Sequence, residues 1–520
     1  MWTEFATLVG ALAALYLLAL PNRIKLIHGS ETVRIAVDNS GKMEPLHVRV
    51  MRTCPTLSRG IFWPSPLLFN GHFQTAYASL VGRKLRGREI VVYERETLLL
   101  KDGGLVAIDW NKGDRRKAED TPILILLHGL GGGSSDKYIL EFIPHADRTG
   151  YKCAALNSRG CGGIEVTTPQ LYSGSFTQDA RDMISHIHAR YPEAPMIGIG
   201  FSLGANIMLK LVGEDAGACK LTACVSVANP FDLQLGITLL HSTWIGREVY
   251  STALAKSLIT FFKKHVRIFA EQTEKPLTYS DPITASEVLK VKYLNEFDDA
   301  ATRRMFGFRT VNEYYRMASS AQYLPDVSIP TLLLSDMDDP VALSQSIPVA
   351  DVLANPHVLL ATTRVGGHLG WFGWTGKRWF PRPVLEFCKS IVEANHAVKA
   401  KHLRIEGKGH LQLQSKKHGR FQNERQRSKS IQVNVGVMTD TAEAPKSSSA
   451  KLDLDVNSAT ELVASSTFKG KGAFWVWFLR YIIQGQALES RASRFALLMI
   501  SVILGGFSAR RRPLVRKKIV

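Results

Sequence analysis

Residues 196–206 read Met-Ile-Gly-Ile-Gly-Phe-Ser-Leu-Gly-Ala-Asn, an apolar run that enters Gly-x-Ser-x-Gly and leaves as a helical pattern. A strand meeting a helix this abruptly forces the serine into strained backbone. Gly200 and Gly204 then remove the side chains that the neighbouring helix and strand would strike. Ser202 is thereby predicted to stand above the edge of a sheet. The helix that follows offers its positive end and the backbone N–H of Leu203 to a developing oxyanion. The competing reading, an ordinary glycine turn, is decided by the rest of the chain.

The surrounding pattern alternates buried strands with helices, which predicts an α/β fold with a mostly parallel sheet. Residues 90–93 and 96–100 read as strands, Asp102-Gly103-Gly104 as a hairpin turn and 105–110 as the returning strand. Strands follow at 123–127, 151–156, 221–227, 329–334 and 357–362, with helices at 176–190 and 383–397. On the first of these helices Asp179, Arg181 and Asp182 read as a solvated face. Residues 54–83, rich in proline and aromatics, resist assignment to one regular element, and the His72 and Gln74 they carry read as structural before they read as a polar site. Between 229 and 324 the β–α rhythm breaks into helical stretches such as 250–269 and 310–317, a helical insertion over the sheet edge. Its Leu239, Leu240, Trp244, Phe261 and Phe262 are candidates for an acyl tunnel or for ordinary packing.

A serine hydroxyl is a weak nucleophile at neutral pH and needs a base, which in turn needs an orienting group. His368, between glycines just past a strand, is the candidate base. Asp339 is the candidate acid, because it directly precedes a proline that turns the chain; Asp338 is the runner-up, and Asp336 lies too near the strand end. The chain order Ser, Asp, His, each beyond the C-terminal end of a strand, is that of the α/β-hydrolase fold. In that fold the loop after strand 123–127, His128-Gly129-Leu130-Gly131-Gly132-Gly133, supplies the second oxyanion donor, assigned to the N–H of Leu130. A nucleotide-phosphate loop is disfavoured there, for it has neither Gly-Lys-Ser/Thr nor a Gly-x-Gly-x-x-Gly opening a helix.

The segments GHFQT, DGG followed by DW, HGLGGG, NSRGCGG, GFSLGAN, the DDP turn and GGHLGW together resemble the membrane-anchored α/β-hydrolase family of monoacylglycerol lipases, phosphatidylcholine-cleaving phospholipases and bacterial esterases. The resemblance covers residues 54–395 and is nearest to the monoacylglycerol lipase branch. It implies Ser202 as nucleophile, Asp339 as acid, His368 as base, a lipid ester as substrate and no cofactor or metal. No histidine has an aspartate five positions on, so the acyltransferase motif carried by some members is missing and hydrolysis is expected. A lipid- or steroid-binding signalling protein using the same cleft without turnover is the alternative.

Residues 5–20 are an unbroken apolar run of about 16, between the ~20 of a spanning helix and the ~7–15 of a signal-peptide core. No basic stretch precedes it and no small-residue cleavage site follows. A single-pass N-terminal anchor in the endoplasmic reticulum or plasma membrane is expected, with the body cytosolic, since Arg23, Lys25 and Arg34 follow the run. The organisation expected is therefore an anchor at 1–21, a wrapping region at 22–93 and an α/β-hydrolase domain at 94–396 with a helical lid at about 230–325. A basic, then Ser/Ala-rich disordered linker at 397–470 and an apolar and basic interfacial tail at 471–520 complete it. Much of the net charge of +19 lies in residues 401–429 and 510–518, which points to anionic lipid. Nucleic acid is the weaker partner, since no aromatic–basic interleaving of a known module occurs there. Six scattered cysteines without a Cys-x-x-Cys pair suggest buried thiols.

Overall fold

The computed structural model describes residues 21–38, 42–80, 91–270 and 282–397, together with Gly10 and Ser40. The expected anchor at 5–20 and the expected linker and tail beyond 397 lie outside the described residues.

Nine strands form one sheet: β1 (Lys25–Ile27), β2 (Tyr93–Leu99), β3 (Leu105–Asn111), β4 (Ile123–Leu127), β5 (Lys152–Asn157), β6 (Met196–Phe201), β7 (Ala223–Val227), β8 (Thr331–Asp336) and β9 (Val358–Thr363). Their spatial order is β1-β9-β8-β7-β6-β4-β5-β3-β2. The six from β9 to β5 run parallel, and β1, β3 and β2 add antiparallel ladders at the margins. The two strands expected at 90–93 and 96–100 are one: β2 pairs without interruption from Tyr93 opposite Asn111 to Leu99 opposite Leu105. Polar residues Glu94, Arg95 and Glu96 interrupt its apolar pattern, but an edge strand tolerates them because one face is wet. β1 leaves no signal in the sequence, since three residues are too short to show a period.

A parallel sheet must be covered on both faces, so its strands are apolar at every position. In β4, Ile123, Ile125 and Leu127 enter one core and Leu124 and Leu126 the other. Each such side chain contributes about 1.5–3 kcal/mol on burial. The helices that supply the covering are α1 (Leu46–Thr53), α2 (Gly71–Leu80), α3 (Lys137–Arg148), α4 (Gln178–Arg190), α5 (Leu203–Asp215), α6 (Leu233–Ser242), α7 (Thr252–Ala270), α8 (Val311–Ala318) and α9 over 381–397. α6, α7 and α8, with the π-helical turns Gly246–Ser251 and Asp298–Thr302, fill the interval between β7 and β8. The described part of the stretch at 54–83, to residue 80, resolves into Pro55–Ser58, a two-residue strand Ile61–Phe62, a 3-10 turn Pro66–Leu68 and α2, so GHFQT is the first turn and a half of a helix.

Candidate active site

The six-residue strand β6 carries Gly198 and Gly200 on the face that α5 covers. A Cβ on Gly200 would lie 2.3 Å from the carbonyl oxygen of Gly204, and one on Gly204 would lie 2.3 Å from that of His128. Only glycine lets the helix turn back this tightly. Between them Ser202 has φ 54° and ψ −121°, a conformation that L-residues avoid. Its N–H donates to Val227 O at 2.9 Å, and its carbonyl accepts from Ala205 and Asn206, so the surroundings over-determine the strained residue.

Ser202 Oγ lies 2.8 Å from His368 Nε2, and His368 Nδ1 lies 2.8 Å from Asp339 Oδ2. The Asp339 side chain is fully buried, and its Oδ1 accepts the N–H groups of Val341 and Ala342, both at 2.8 Å. The three sequence-predicted residues, 29 and 166 positions apart, thus form one hydrogen-bonded line. With Nδ1–H donating to the carboxylate, Nε2 is left as acceptor for the serine proton.

The two other aspartates of the turn have a different task. Asp338 accepts from the N–H groups of Gly71 at 2.5 Å and of Gly366 and Gly367 at 3.1 Å, which clamps the histidine loop to the start of α2. Asp336, the last residue of β8, accepts from Thr363 Oγ1 at 2.9 Å. Burial, and then the adjacent Asp338, push the Asp336 carboxyl well above the ordinary carboxylate range.

GHFQT turns out to be the platform of that loop. Thr75 Oγ1 accepts the His368 N–H at 2.8 Å, and Gln74 bonds Phe372 through both N–H and C=O. A Cβ on Gly367 would lie 2.3 Å from Gly71 O, so loop and helix are in backbone contact. Gln74 and Thr75 are therefore structural neighbours of the site that sequence spacing could not reveal, nearly 300 residues from the histidine. His72 Nδ1 meets Tyr250 OH at 2.7 Å, and burial lowers the pKa of that imidazole.

Leu130 and Leu203, expected to donate to an oxyanion, both line the cavity that contains Ser202. The Leu130 loop passes directly over the elbow, since a Cβ on Gly129 would be 3.3 Å from Ser202 Cβ. It is fixed from behind: Asn157 Oδ1 accepts from Ser134 N at 2.8 Å, and Asp109 accepts from Ser134 Oγ and Asn157 Nδ2. Gly133 and Gly162 nearly touch, 2.8 Å from an added Cβ to Gly162 Cα, which explains why both loops are glycine-rich.

The cavity measures about 110 Å³ and is walled by Leu233, Ile237, Leu240, Leu254 and Leu294 of the β7–β8 interval. Of the tunnel candidates, Leu240 lines it and Phe261 lines an adjoining space of about 20 Å³. Phe262 belongs to the core, stacked on Phe269, and Trp244 is 37% exposed. Sequence reasoning missed Asp298, on the second π-helical turn, which borders both spaces. It accepts from Thr302 Oγ1 at 2.7 Å and Tyr315 OH at 2.8 Å, and burial pushes its carboxyl up to about 6. The expected solvated face of α4 also needs correction: Asp179 is buried and accepts three bonds from Nε and Nη2 of the buried Arg159 guanidinium. A charge on a helix reads as solvated only until a partner from a distant loop closes over it.

The alpha/beta hydrolase fold family model matches residues 122–372. The embryogenesis-associated protein EMB8 of Picea glauca is 37% identical over 64% of this chain and 73% of its own length. The monoacylglycerol lipase of Saccharomyces cerevisiae is 32% identical, over 62% of this chain and 79% of that protein. The phospholipase ABHD3 of Homo sapiens is 30% identical, over 66% and 82%.

Proposed function

Because the chain belongs to the α/β-hydrolase family and its relatives bear lipase and phospholipase names, it is a carboxylic ester hydrolase, and we propose that it cleaves lipid esters, monoacylglycerols foremost and phospholipids second. The observation that carries this reading is the line Ser202–His368–Asp339 opening into an apolar cavity.

In the proposed reaction His368 Nε2 takes the Ser202 proton as the oxygen attacks the ester carbonyl. Asp339, dry and held by two N–H groups, fixes the imidazole and stabilises its cation. The N–H groups of Leu203 and Leu130 receive the oxyanion, aided by the positive end of α5. His368 then returns the proton to the leaving alcohol, and the acyl group stays on Ser202. Water, deprotonated by His368, releases the acid. The apolar wall from α6 takes the acyl chain, and the helical interval over the sheet serves as a lid. Residues 5–20 would hold the enzyme on the endoplasmic reticulum or plasma membrane, where a lipid reaches the site without crossing water. The basic tail at 471–520 would add contacts with anionic lipid.

A fluorophosphonate probe is expected to label the wild type and to leave Ser202→Ala unlabelled. A panel of monoacylglycerols, lysophospholipids and phosphatidylcholines then ranks substrates. Labelling that persists in Ser202→Ala, or wild type that turns over no ester of the panel, overturns the proposal.

A further inference from the structure

A two-strand ribbon on the surface brings together chain segments that the catalytic line does not use. Pro64 and Gly373 form an antiparallel bridge, and Ser65 N–H donates to Phe372 O at 2.9 Å. Trp63 and Trp374 adjoin the two bridged residues, Trp374 in the turn that follows Gly373. Both indoles face solvent, 43% and 54% exposed, beside Ile61 at 50% and Leu67 at 73%. Large apolar side chains exposed singly are ordinary, but four on the short segments 61–67 and 373–374 that this bridge joins are a concentration of the kind that marks an interaction surface.

The groove under the ribbon measures about 470 Å³, and its lining includes Arg59, Lys377, Arg378 and Arg382 but neither Asp nor Glu. Arg378 pairs with Glu141 and Arg382 with Glu386, whereas Arg59 and Lys377 stand in exposed positions. Tryptophan has an apolar body and a polar N–H, which suits the headgroup layer of a bilayer, and lysine and arginine suit anionic headgroups.

The direction of the chain supplies an independent argument. Asn22 and Arg23 pair with Phe62 and Ile61, so the first described segment is a third strand laid directly beside this ribbon. The residues before it in sequence are the apolar run 5–20. A chain that enters a bilayer through that run emerges at Pro21 with Ile61 and Trp63 at its side.

We propose that the face formed by Ile61, Trp63, Leu67 and Trp374, with Arg59 and Lys377 at its rim, docks the catalytic domain onto an anionic lipid bilayer. The inference rests on the lipid-ester reading for its purpose but not for its geometry. Docking orients the domain: the ribbon residue Trp374 lies six positions beyond His368, so the loop that carries the base is also the loop that meets the membrane.

The test uses the full chain with monoacylglycerol presented in phosphatidylcholine vesicles, with or without phosphatidylserine, and with soluble p-nitrophenyl butyrate. The double variants Trp63→Ser/Trp374→Ser and Arg59→Gln/Lys377→Gln are each expected to raise KM for the vesicle substrate about 10-fold or more. Turnover of the soluble ester should stay within about twofold of wild type, and the Arg/Lys pair should lose its effect without phosphatidylserine. The second variant replaces only exposed side chains, so it reads the face even if the first folds poorly. Unchanged vesicle KM in the Arg/Lys variant overturns the proposal. Were the chain to hydrolyse no ester, the functional reading would fail alone, and quenching of tryptophan fluorescence by brominated lipid would read the face instead. Trp63→Phe/Trp374→Phe should then lose part of the quenched emission; equal quenching, as when residues 398–520 cover the face, overturns it.

Discussion

The N–H of His368 donates to Thr75 Oγ1 at 2.8 Å, and the same hydroxyl donates to Gly71 O at 2.7 Å. One threonine on α2, ahead of β2 in the chain, therefore fixes the backbone of the histidine on the loop that follows β9. Thr75→Val keeps the shape and removes the acceptor, leaving a buried N–H unpaired at a cost of about 1–3 kcal/mol. The expected outcome is a fall in kcat of about 10-fold or more with KM little changed, and near-complete rescue by Thr75→Ser. Full activity in the valine variant, with loss in the serine variant, would mean that the methyl packing, not the hydroxyl, matters.

The DDP turn separates two roles that adjacent carboxylates could have shared. Asp339→Asn should lower kcat by roughly 10⁴-fold, the known cost of the wrong imidazole tautomer, with thermal stability nearly unchanged. Asp338→Asn should do the reverse: it weakens the clamp on Gly71, Gly366 and Gly367 and lowers Tm by several degrees, with a smaller effect on turnover. Parallel kinetic and thermal measurements on the two variants decide, and a larger kinetic loss in Asp338→Asn would exchange the assignments.

Asp298 carries a pH signature. Burial raises its folded pKa from the ordinary 3.8 to about 6. Below about 3.8 both states hold the proton and the group is neutral for stability. Between about 3.8 and 6 the unfolded chain releases its proton while the folded chain keeps it, so stability falls as pH rises. Above 6 the penalty is constant, at most about 3 kcal/mol. Urea midpoints across pH 4–7 should decline more steeply for wild type than for Asp298→Asn. Superimposable slopes would show that the carboxyl ionises without cost.

Acyl length should respond to one helical glycine. Gly236 lines the cavity from α6, and a Cβ there would meet nothing within 4 Å. Gly236→Leu gains helix propensity, about 0.5–1 kcal/mol, while its side chain fills part of the about 110 Å³. Hydrolysis of long-chain monoacylglycerols should drop about 10-fold or more, with short-chain esters unaffected and Tm unchanged or higher. A uniform loss across chain lengths would place the acyl path elsewhere.

What the sequence determined on its own is everything set by local periodicity and local sterics. Short apolar runs such as 123–127 and 196–201, alternating with helical patterns, read as strands covered on both faces, and Gly-Phe-Ser-Leu-Gly between a strand and a helix reads as a tight elbow once an acid and a histidine follow in order. From these the fold class and the order of Ser202, Asp339 and His368 followed, because the fold puts the ends of successive strands along one edge. The tertiary structure decided whatever depends on which distant segments meet. It made Asp338 a clamp by bringing Gly71 to it, turned Gln74 and Thr75 from an unassigned aromatic stretch into the seat of the His368 loop, and buried Asp179 against Arg159. Such pairings join residues up to about 300 positions apart and leave no period in the sequence. A polar side chain reads the same whether its partner is water or another loop, and only the packed chain distinguishes the two.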